Sequence, residues 1–239
     1  MRNKLLASLL ISLPLALSSQ AQASSDINQL GKLSQSEFNS LSRDLLSAAS
    51  YKAIAPAEAL GITGFDVGAE FTLTQLSSEA IWKKAGADVS QLVMPKLHIH
   101  KGLPFNIDVG AMITRVPNSN IQLMGAEIRY AFIEGGVTTP AVAVRAAVTK
   151  LSGVDQLDFK SQSIELTASK GLAMFTPYVG VGKVWGATTP NVANLKKTTD
   201  SQNKLFAGIN ANFGLLNIAG EVDKTGDNQS VSVKLGLRF

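Results

Sequence analysis

The final ten residues of the chain, 230–239, constrain its fold more than any other stretch. Polar or small residues alternate there with apolar ones, which are Val231, Val233, Leu235, Leu237 and Phe239. Successive side chains of a β-strand point to opposite faces. The alternation therefore predicts a strand with one apolar face and one polar face, ending at the aromatic residue.

The first residues have the form of an export signal. Arg2 and Lys4 precede the apolar run Leu5–Leu17, and an Ala-Gln-Ala sequence follows at 21–23. We predict a secretory signal peptide over residues 1–23, with the mature chain beginning at Ser24. The chain has no Cys, so an exported form must be held by its core or by a closed hydrogen-bonded barrel. No later stretch has the roughly 18 apolar residues of a membrane helix.

The charge balance argues against a nucleic-acid partner. Without Arg2 and Lys4, the mature part keeps 20 of the 22 basic residues against 18 acidic ones. These charges are scattered and form no basic stripe. The length of the mature part suits a single domain.

Residues 24–64 form a separate N-terminal segment, either periplasmic or a plug. Ser34 and Glu37 have the spacing of a helix capping box, and Phe38, Leu41 and Leu45 then recur at helical spacing. We predict a short amphipathic helix over about 35–50. This helix either packs on the sheet or covers one end of it, or it plugs the inside of a barrel; we favour the first interpretation.

From residue 65 to 239 the chain reads as one β domain of about ten strands. The predicted strands are 65–74, 92–100, 106–114, 121–132, 141–150, 157–169, 175–185, 205–213, 216–223 and 230–239. Most of them alternate between apolar and polar residues. An even number of strands is expected of a single-chain bacterial barrel.

The terminal strand resembles the C-terminal strand of Gram-negative outer-membrane β-barrels, which ends in Phe after alternating apolar residues. The resemblance is one of architecture over 65–239 together with the signal peptide, and Lys234 stands where many members have Gly. It implies an all-β fold, a transmembrane antiparallel up-and-down β-barrel of about ten strands (roughly 8–12) with a short N-terminal amphipathic helix. It also implies location in the outer membrane and recognition of the strand ending at Phe239 by the barrel assembly machinery.

Loop lengths and aromatic positions follow the same architecture. With the C-terminus on the periplasmic side, the long connections 75–91 and 186–204 both fall outside, as in outer-membrane barrels. Aromatic residues gather at two levels, which predicts interfacial girdles. The predicted periplasmic girdle comprises Phe65, Phe105, Phe132, Phe175, Phe213 and Phe239, and the predicted outer girdle comprises Phe159, Trp185 and Phe206.

The polar strand faces would then line the lumen. Both charge signs are present among the candidate lumen residues, which are Asp66, Glu70, Lys96, His98, His100, Asp108, Glu127, Arg129, Arg145, Glu165, Glu221, Asp223, Lys234 and Arg238. Two interpretations remain open: interlocked salt bridges that fill a narrow interior, or a narrow pore whose charges tune ion selectivity. Ten strands are few beside the 16–18 of open porins.

Catalysis is not expected. The sole His residues, His98 and His100, lie on one strand near the predicted periplasmic end of the lumen. The sequence has no Gly-x-Ser-x-Gly motif, and two His at this spacing lack a further metal ligand. We therefore predict no catalytic residues, no cofactor and no metal, and we keep an outer-membrane barrel hydrolase as a minor alternative.

The sequence thus predicts a small integral outer-membrane barrel, either structural or a narrow porin-like channel for ions and small solutes. Outer-membrane lipids and lipopolysaccharide are the expected partners. For Lys196 and Lys197 of the outer loop, solvated loop charges are the default interpretation, and contact with lipopolysaccharide phosphates is the alternative. The alternative is a soluble periplasmic β-barrel that binds a small apolar ligand and turns its apolar faces inward.

Overall fold

A computed structural model describes residues 26–116 and 119–239 of the chain. The predicted signal peptide and the predicted mature start at Ser24 lie outside the described residues. The strands are β1 (Phe65–Gln75), β2 (Gln91–Leu103), β3 (Ile107–Arg115), β4 (Gln122–Glu134), β5 (Ala141–Ser152), β6 (Leu157–Ser169), β7 (Phe175–Pro190), β8 (Thr198–Phe213), β9 (Leu216–Thr225) and β10 (Asn228–Arg238). Two α-helices accompany them, α1 (Gln35–Ala49) and α2 (Glu79–Lys84).

The ten strands form one closed antiparallel barrel in which each strand pairs with its neighbours in the chain. The last strand closes the barrel on the first, in a register that runs from Asp66 opposite Arg238 to Thr74 opposite Ser230. Beyond this register, the backbones of Phe65 and Phe239 exchange hydrogen bonds of 2.8 and 3.0 Å. Closure leaves no open sheet edge, and it confirms the predicted up-and-down barrel of ten strands.

The period-2 pattern separates a buried inner face from an exposed outer face. On β10, Val231, Val233, Leu235 and Leu237 are 52–55% exposed, while Ser232 and Lys234 between them are buried. The other strands repeat the alternation. The apolar side chains therefore lie outside the barrel, where a bilayer would cover them. This arrangement contradicts the alternative of a soluble barrel with an apolar ligand pocket, which needs apolar residues inside.

Two strands extend further than the sequence indicated, so the predicted outer loop 186–204 is wrong. Strand β7 continues to Pro190 and β8 begins at Thr198, and they pair from Trp185 opposite Ser201 to Thr188 opposite Thr198. The outward positions here are largely polar because the two strands project beyond the apolar band, so the apolar alternation gave no signal. The connection between β1 and β2 remains long and contains α2.

The predicted helix is present as α1 and begins with the predicted capping box. The Ser34 hydroxyl accepts a hydrogen bond from the Glu37 amide at 3.3 Å, and the Glu37 carboxylate accepts one from the Ser34 amide at 2.7 Å. Phe38, Leu41 and Leu45 are buried on its apolar side. Among the described residues, no helix is long and apolar enough to cross a membrane.

Helix α1 covers the end of the barrel that carries the longer loops. Its Asp44 accepts hydrogen bonds from the Trp82 indole (3.1 Å), the Ser78 amide (2.9 Å) and the Asn228 amide side chain (3.1 Å). The outer cap, defined here as residues 26–49 with the 76–90 loop, thus closes this end. We name this end the outer end, after the orientation predicted from the loop lengths.

An ion pair joins the two helices of the outer cap. Lys84 Nζ lies 2.8 Å from the Glu37 carboxylate. This hydrogen bond, with a second from the Ser34 backbone, lowers the pKa of Glu37 from 4.5 to about 2. Because the pKa of the folded form lies below the unfolded value, the pair stabilises the cap fully above about pH 4.5, and this contribution is lost as the pH falls toward 2.

We predict that Lys84→Gln moves the titration midpoint of Glu37 upward toward 4.5, because the donor that stabilises the carboxylate is gone. Carboxyl-carbon NMR of the folded protein in detergent measures the midpoint. The control is Lys83→Gln, since Lys83 pairs with Asp88 instead and its loss should leave the midpoint unchanged. Equal midpoints in wild type and Lys84→Gln would contradict the assignment.

Candidate functional site in the barrel lumen

The structure brings the predicted lumen residues together inside the barrel. Those fully buried there are Asp66, Glu70, Lys96, His98, His100, Asp108, Glu127, Arg129, Arg145, Glu165, Glu221, Asp223 and Lys234. Arg238 also points inward and is partly exposed at the periplasmic end, 3.6 Å from Asp66. Charges of both signs are therefore concentrated in a space from which most water is excluded, and buried charges need partners.

One ladder of paired side chains crosses the lumen from β2 to β8. His100 lies 3.4 Å from Glu127, and Glu127 lies 3.0 Å from Arg145 Nε. Glu165 then accepts from Arg145 at 2.9 Å and from Lys204 at 2.8 Å. Each carboxylate in this ladder therefore lies within 3.4 Å of two nitrogen groups.

A second group of ion pairs joins the closing strands. Glu70 lies 2.5 Å from Lys96 Nζ and 2.7 Å from His98 Nε2. Asp66 on the same strand lies 2.7 Å from Lys234 Nζ of β10. These contacts link β10, β1 and β2 from the inside, at the seam where the barrel closes.

The segment 50–64 passes through the lumen, and the barrel wall holds its backbone. Lys204 Nζ donates to the Tyr51 carbonyl at 3.1 Å, and Arg129 donates to the Pro56 carbonyl at 2.5 Å. Nearer the periplasmic end, the Leu60 amide donates to Asp108 at 3.1 Å. The segment leaves the outer cap after Ala49 and meets β1 at Phe65, so it runs the length of the barrel.

Lys52 places a charge of the segment itself within the lumen. Its Nζ lies 2.9 Å from Asp223 Oδ1, and both side chains are at most 1% exposed. Sequence reasoning missed Lys52, because it lies in a stretch with no strand alternation, and missed Lys204, because it fell in the predicted outer loop. The available signal was the apolar character of residues 51–57, which is unusual for a solvated linker.

Two aromatic predictions are wrong, because Phe159 and Phe206 point into the barrel and are 1% and 2% exposed. Phe159 packs in the apolar core beneath the outer cap, and Phe206 meets the Tyr178 ring at 6.5 Å between centroids. Both stand on the inward register of their strands, in phase with buried neighbours such as Ser161 and Lys204.

The other predicted girdle residues lie on the outside of the barrel. Trp185 is partly exposed near the outer end. Phe105 occupies the β2–β3 turn and is 85% exposed, and Phe65 and Phe239 meet at 5.6 Å between ring centroids. The periplasmic end thus carries the exposed or partly exposed rings of Phe65, Phe105, Phe132, Phe175, Phe213 and Phe239.

The two histidines are enclosed by the segment that fills the lumen. The Tyr51 ring lies 5.8 Å from the His98 ring, which in turn lies 5.6 Å from the His100 ring. Both imidazoles are at most 3% exposed, so a substrate has no access to them in this conformation. Among the described residues, no group of three or more His, Asp or Glu side chains is arranged to hold a metal ion.

No protein-family model matches the chain, and no curated protein sequence matches it. Solved structures with a similar fold include a KdgM porin in complex with disordered oligogalacturonate (6% identity, 73% of this chain and 99% of that one, TM-score 0.41). The outer-membrane protease OmpT from Escherichia coli (10%, 74% and 95%, 0.39) and the translocator domain of the autotransporter NalP from Neisseria meningitidis (12%, 75% and 89%, 0.37) are also similar. The apolar outer wall of the closed barrel, rather than these distant likenesses, indicates a membrane-spanning β-barrel.

We predict that Lys52→Ala destabilises the folded protein by about 3–5 kcal/mol, because it leaves the Asp223 carboxylate buried without its partner. The Lys52→Ala/Asp223→Ala double variant should recover part of this loss. Urea unfolding in detergent, followed by tryptophan fluorescence, measures both. Lys197→Ala, an exposed loop change, is the control and should stay within about 0.5 kcal/mol of wild type; an equally small effect of Lys52→Ala would contradict the buried pair.

Proposed function

We propose that the protein is a structural outer-membrane barrel, closed at rest, that anchors the outer cap at the cell surface. The observation that carries the proposal is the passage of residues 50–64 through the lumen. A ten-strand barrel is narrow beside open porins. With the segment inside it, many of the remaining polar side chains contact one another or the segment backbone.

The charges of the lumen support a closed interior. In a conducting pore, charged side chains face water and an ion path. Here most of the acidic groups pair with wall cations, as Glu165 does with Lys204, or with the segment, as Asp223 does with Lys52. Glu221 instead accepts a hydrogen bond from the Tyr178 hydroxyl at 3.0 Å. The arrangement thus corresponds to the salt-bridged interior, the first of the two interpretations drawn from the sequence.

The outer cap supports a role at the surface. It is joined to several outer loops: Gln35 and the Lys196 backbone exchange hydrogen bonds of 3.2 and 2.8 Å, and Arg43 lies 3.5 Å from both Asp200 and Asp227. Its own Phe38 and Trp82 are buried. A barrel of this kind therefore presents a folded element, the outer cap, at this end.

Single cysteines test this topology, because the chain has no native Cys. Ser36→Cys on the exposed side of α1 should react with a membrane-impermeant maleimide on intact cells. Thr138→Cys, in the β4–β5 turn at the opposite end, should react after the outer membrane is permeabilised and not before. Both positions are exposed, so each serves as the matched control for the other.

If Thr138→Cys reacts on intact cells and Ser36→Cys does not, the barrel has the reverse orientation, and the proposal is overturned. Labelling of both in the periplasmic extract, with no membrane-bound protein, would overturn the membrane location. Unboiled samples on SDS gels must show the mobility of a folded barrel for either result to count.

A narrow channel is the second candidate, and the way the segment is attached favours it. Residues 50–64 are held by side chains of the wall and add no strand to the barrel, so the segment can leave without breaking the strand pairing. Arg129 is the main anchor, donating to the Pro56 and Glu58 carbonyls. A trigger that displaced the segment would open a short polar passage.

Conductance in planar lipid bilayers separates the two candidates. We expect the wild-type protein to show no stable single-channel steps, because the segment fills the lumen. Arg129→Ala, which removes the main anchor, should show brief openings, whereas Arg115→Ala, an outward arginine on β3, should behave as wild type. Steady conductance of the wild-type protein would contradict the closed barrel and favour the channel.

A further inference from the structure

Basic side chains mark the outer edge of the apolar band on the outside of the barrel. On β5, for example, Val142, Val144, Ala146 and Val148 face outward in succession before Lys150 does. The same level is reached at Arg115 on β3, Lys150 on β5, Lys160 on β6, Lys183 on β7 and Lys224 on β9, all of them exposed. In the proposed orientation this is the level of the headgroups of the outer leaflet.

Two of these lysines stand side by side without a counter-ion. Lys150 and Lys160 are directly opposite each other in the β5–β6 pairing, where like charges destabilise a sheet. Within the described part of the chain, neither of them makes an ion pair. The nearest outward carboxylate on their strands, Asp158, lies one outward position further along β6. A bridging anion would remove the repulsion.

A groove beside this pair provides an apolar surface. It has a volume of about 1010 Å³, and Met124, Ala126, Val148 and Trp185 line it together with both lysines. Apolar walls below and the two ammonium groups of Lys150 and Lys160 at the edge match an amphiphile with acyl chains and an anionic headgroup.

We propose that Lys150 and Lys160 bind the phosphate of an outer-leaflet lipid headgroup, with the acyl chains lying in the groove beside Trp185. Phosphate accepts charge-assisted hydrogen bonds from ammonium groups and would bridge the Lys150–Lys160 pair. The apolar lining favours a lipid phosphate over free phosphate. The inference rests on the outward orientation of the proposed function, which the cysteine labelling tests separately.

Native mass spectrometry of the full-length protein in detergent, titrated with diphosphoryl lipid A, tests the site. Lys150→Gln/Lys160→Gln should weaken binding by about tenfold, a difference of roughly 1.4 kcal/mol. Lys196→Gln/Lys197→Gln removes the same charge from the exposed outer loop and should bind as wild type does. We call the Lys150→Gln/Lys160→Gln protein the groove variant and the Lys196→Gln/Lys197→Gln protein the loop variant. Dephosphorylated lipid A should bind the wild-type protein weakly, with an affinity similar to that of diphosphoryl lipid A for the groove variant.

Three results would overturn the proposal. The first is wild-type affinity in the groove variant, Lys150→Gln/Lys160→Gln. The second is a loss of affinity in the loop variant, Lys196→Gln/Lys197→Gln, as large as that in the groove variant. The third is competition by millimolar inorganic phosphate as strong as competition by the lipid, which would indicate a simple anion site. Heat-dependent mobility on SDS gels shows that both variants are folded, so loss of binding cannot be attributed to a failure to fold.

Discussion

The pairing of β1 with β10 is the constraint on which the rest of the structure depends. A sheet in a bilayer cannot leave backbone groups unpaired at an edge, because lipid offers them no hydrogen-bond partners. Closure satisfies both edges, and the backbone bonds between Phe65 and Phe239 complete the seam at the periplasmic end. Once the barrel is closed, the period-2 pattern has one solution, with apolar side chains toward lipid and polar side chains inside.

That solution creates a second problem, because it gathers charged groups in a narrow interior. A buried charge is costly unless it is paired and hydrogen-bonded. The ladder from His100 to Lys204 pairs many of the wall charges, and the segment 50–64 supplies further partners through Lys52 and its backbone carbonyls. The segment and the wall therefore depend on each other, which links the outer cap to the strands that anchor it.

Features that arise from local periodicity were predictable from the sequence. Strand alternation gave the number of strands, the inward and outward faces and the candidate lumen residues, and the Ser34–Glu37 spacing gave α1. Contacts between segments that are distant in the chain could be identified only from the folded structure. Lys52 belongs to no periodic element, and its partner Asp223 is 171 positions away, so no local pattern could join them.

The errors have the same origin. Phe159 and Phe206 are aromatic residues near the ends of the predicted strands, which suggested a girdle, but the register of β6 and β8 turns both side chains into the barrel. The outward residues of the strands around 186–204 are largely polar, because these strands extend beyond the apolar band. The sequence there therefore shows no alternation between apolar and polar residues. The prediction of a long connection was therefore right for 75–91 and wrong for 186–204, where the connection between the strands is short.

Hydrogen exchange of the segment 50–60 in the folded, detergent-solubilised protein tests the central claim most directly. Residues whose amides donate to the wall, such as Ala57 to Ser169 at 3.0 Å and Leu60 to Asp108, should exchange slowly when the segment fills the lumen. We predict protection of peptides covering 50–60 comparable to that of the strands, read by mass spectrometry. Exchange of this segment as fast as that of an unstructured peptide, with the strands still protected, would show that the lumen is not occupied and would contradict the account.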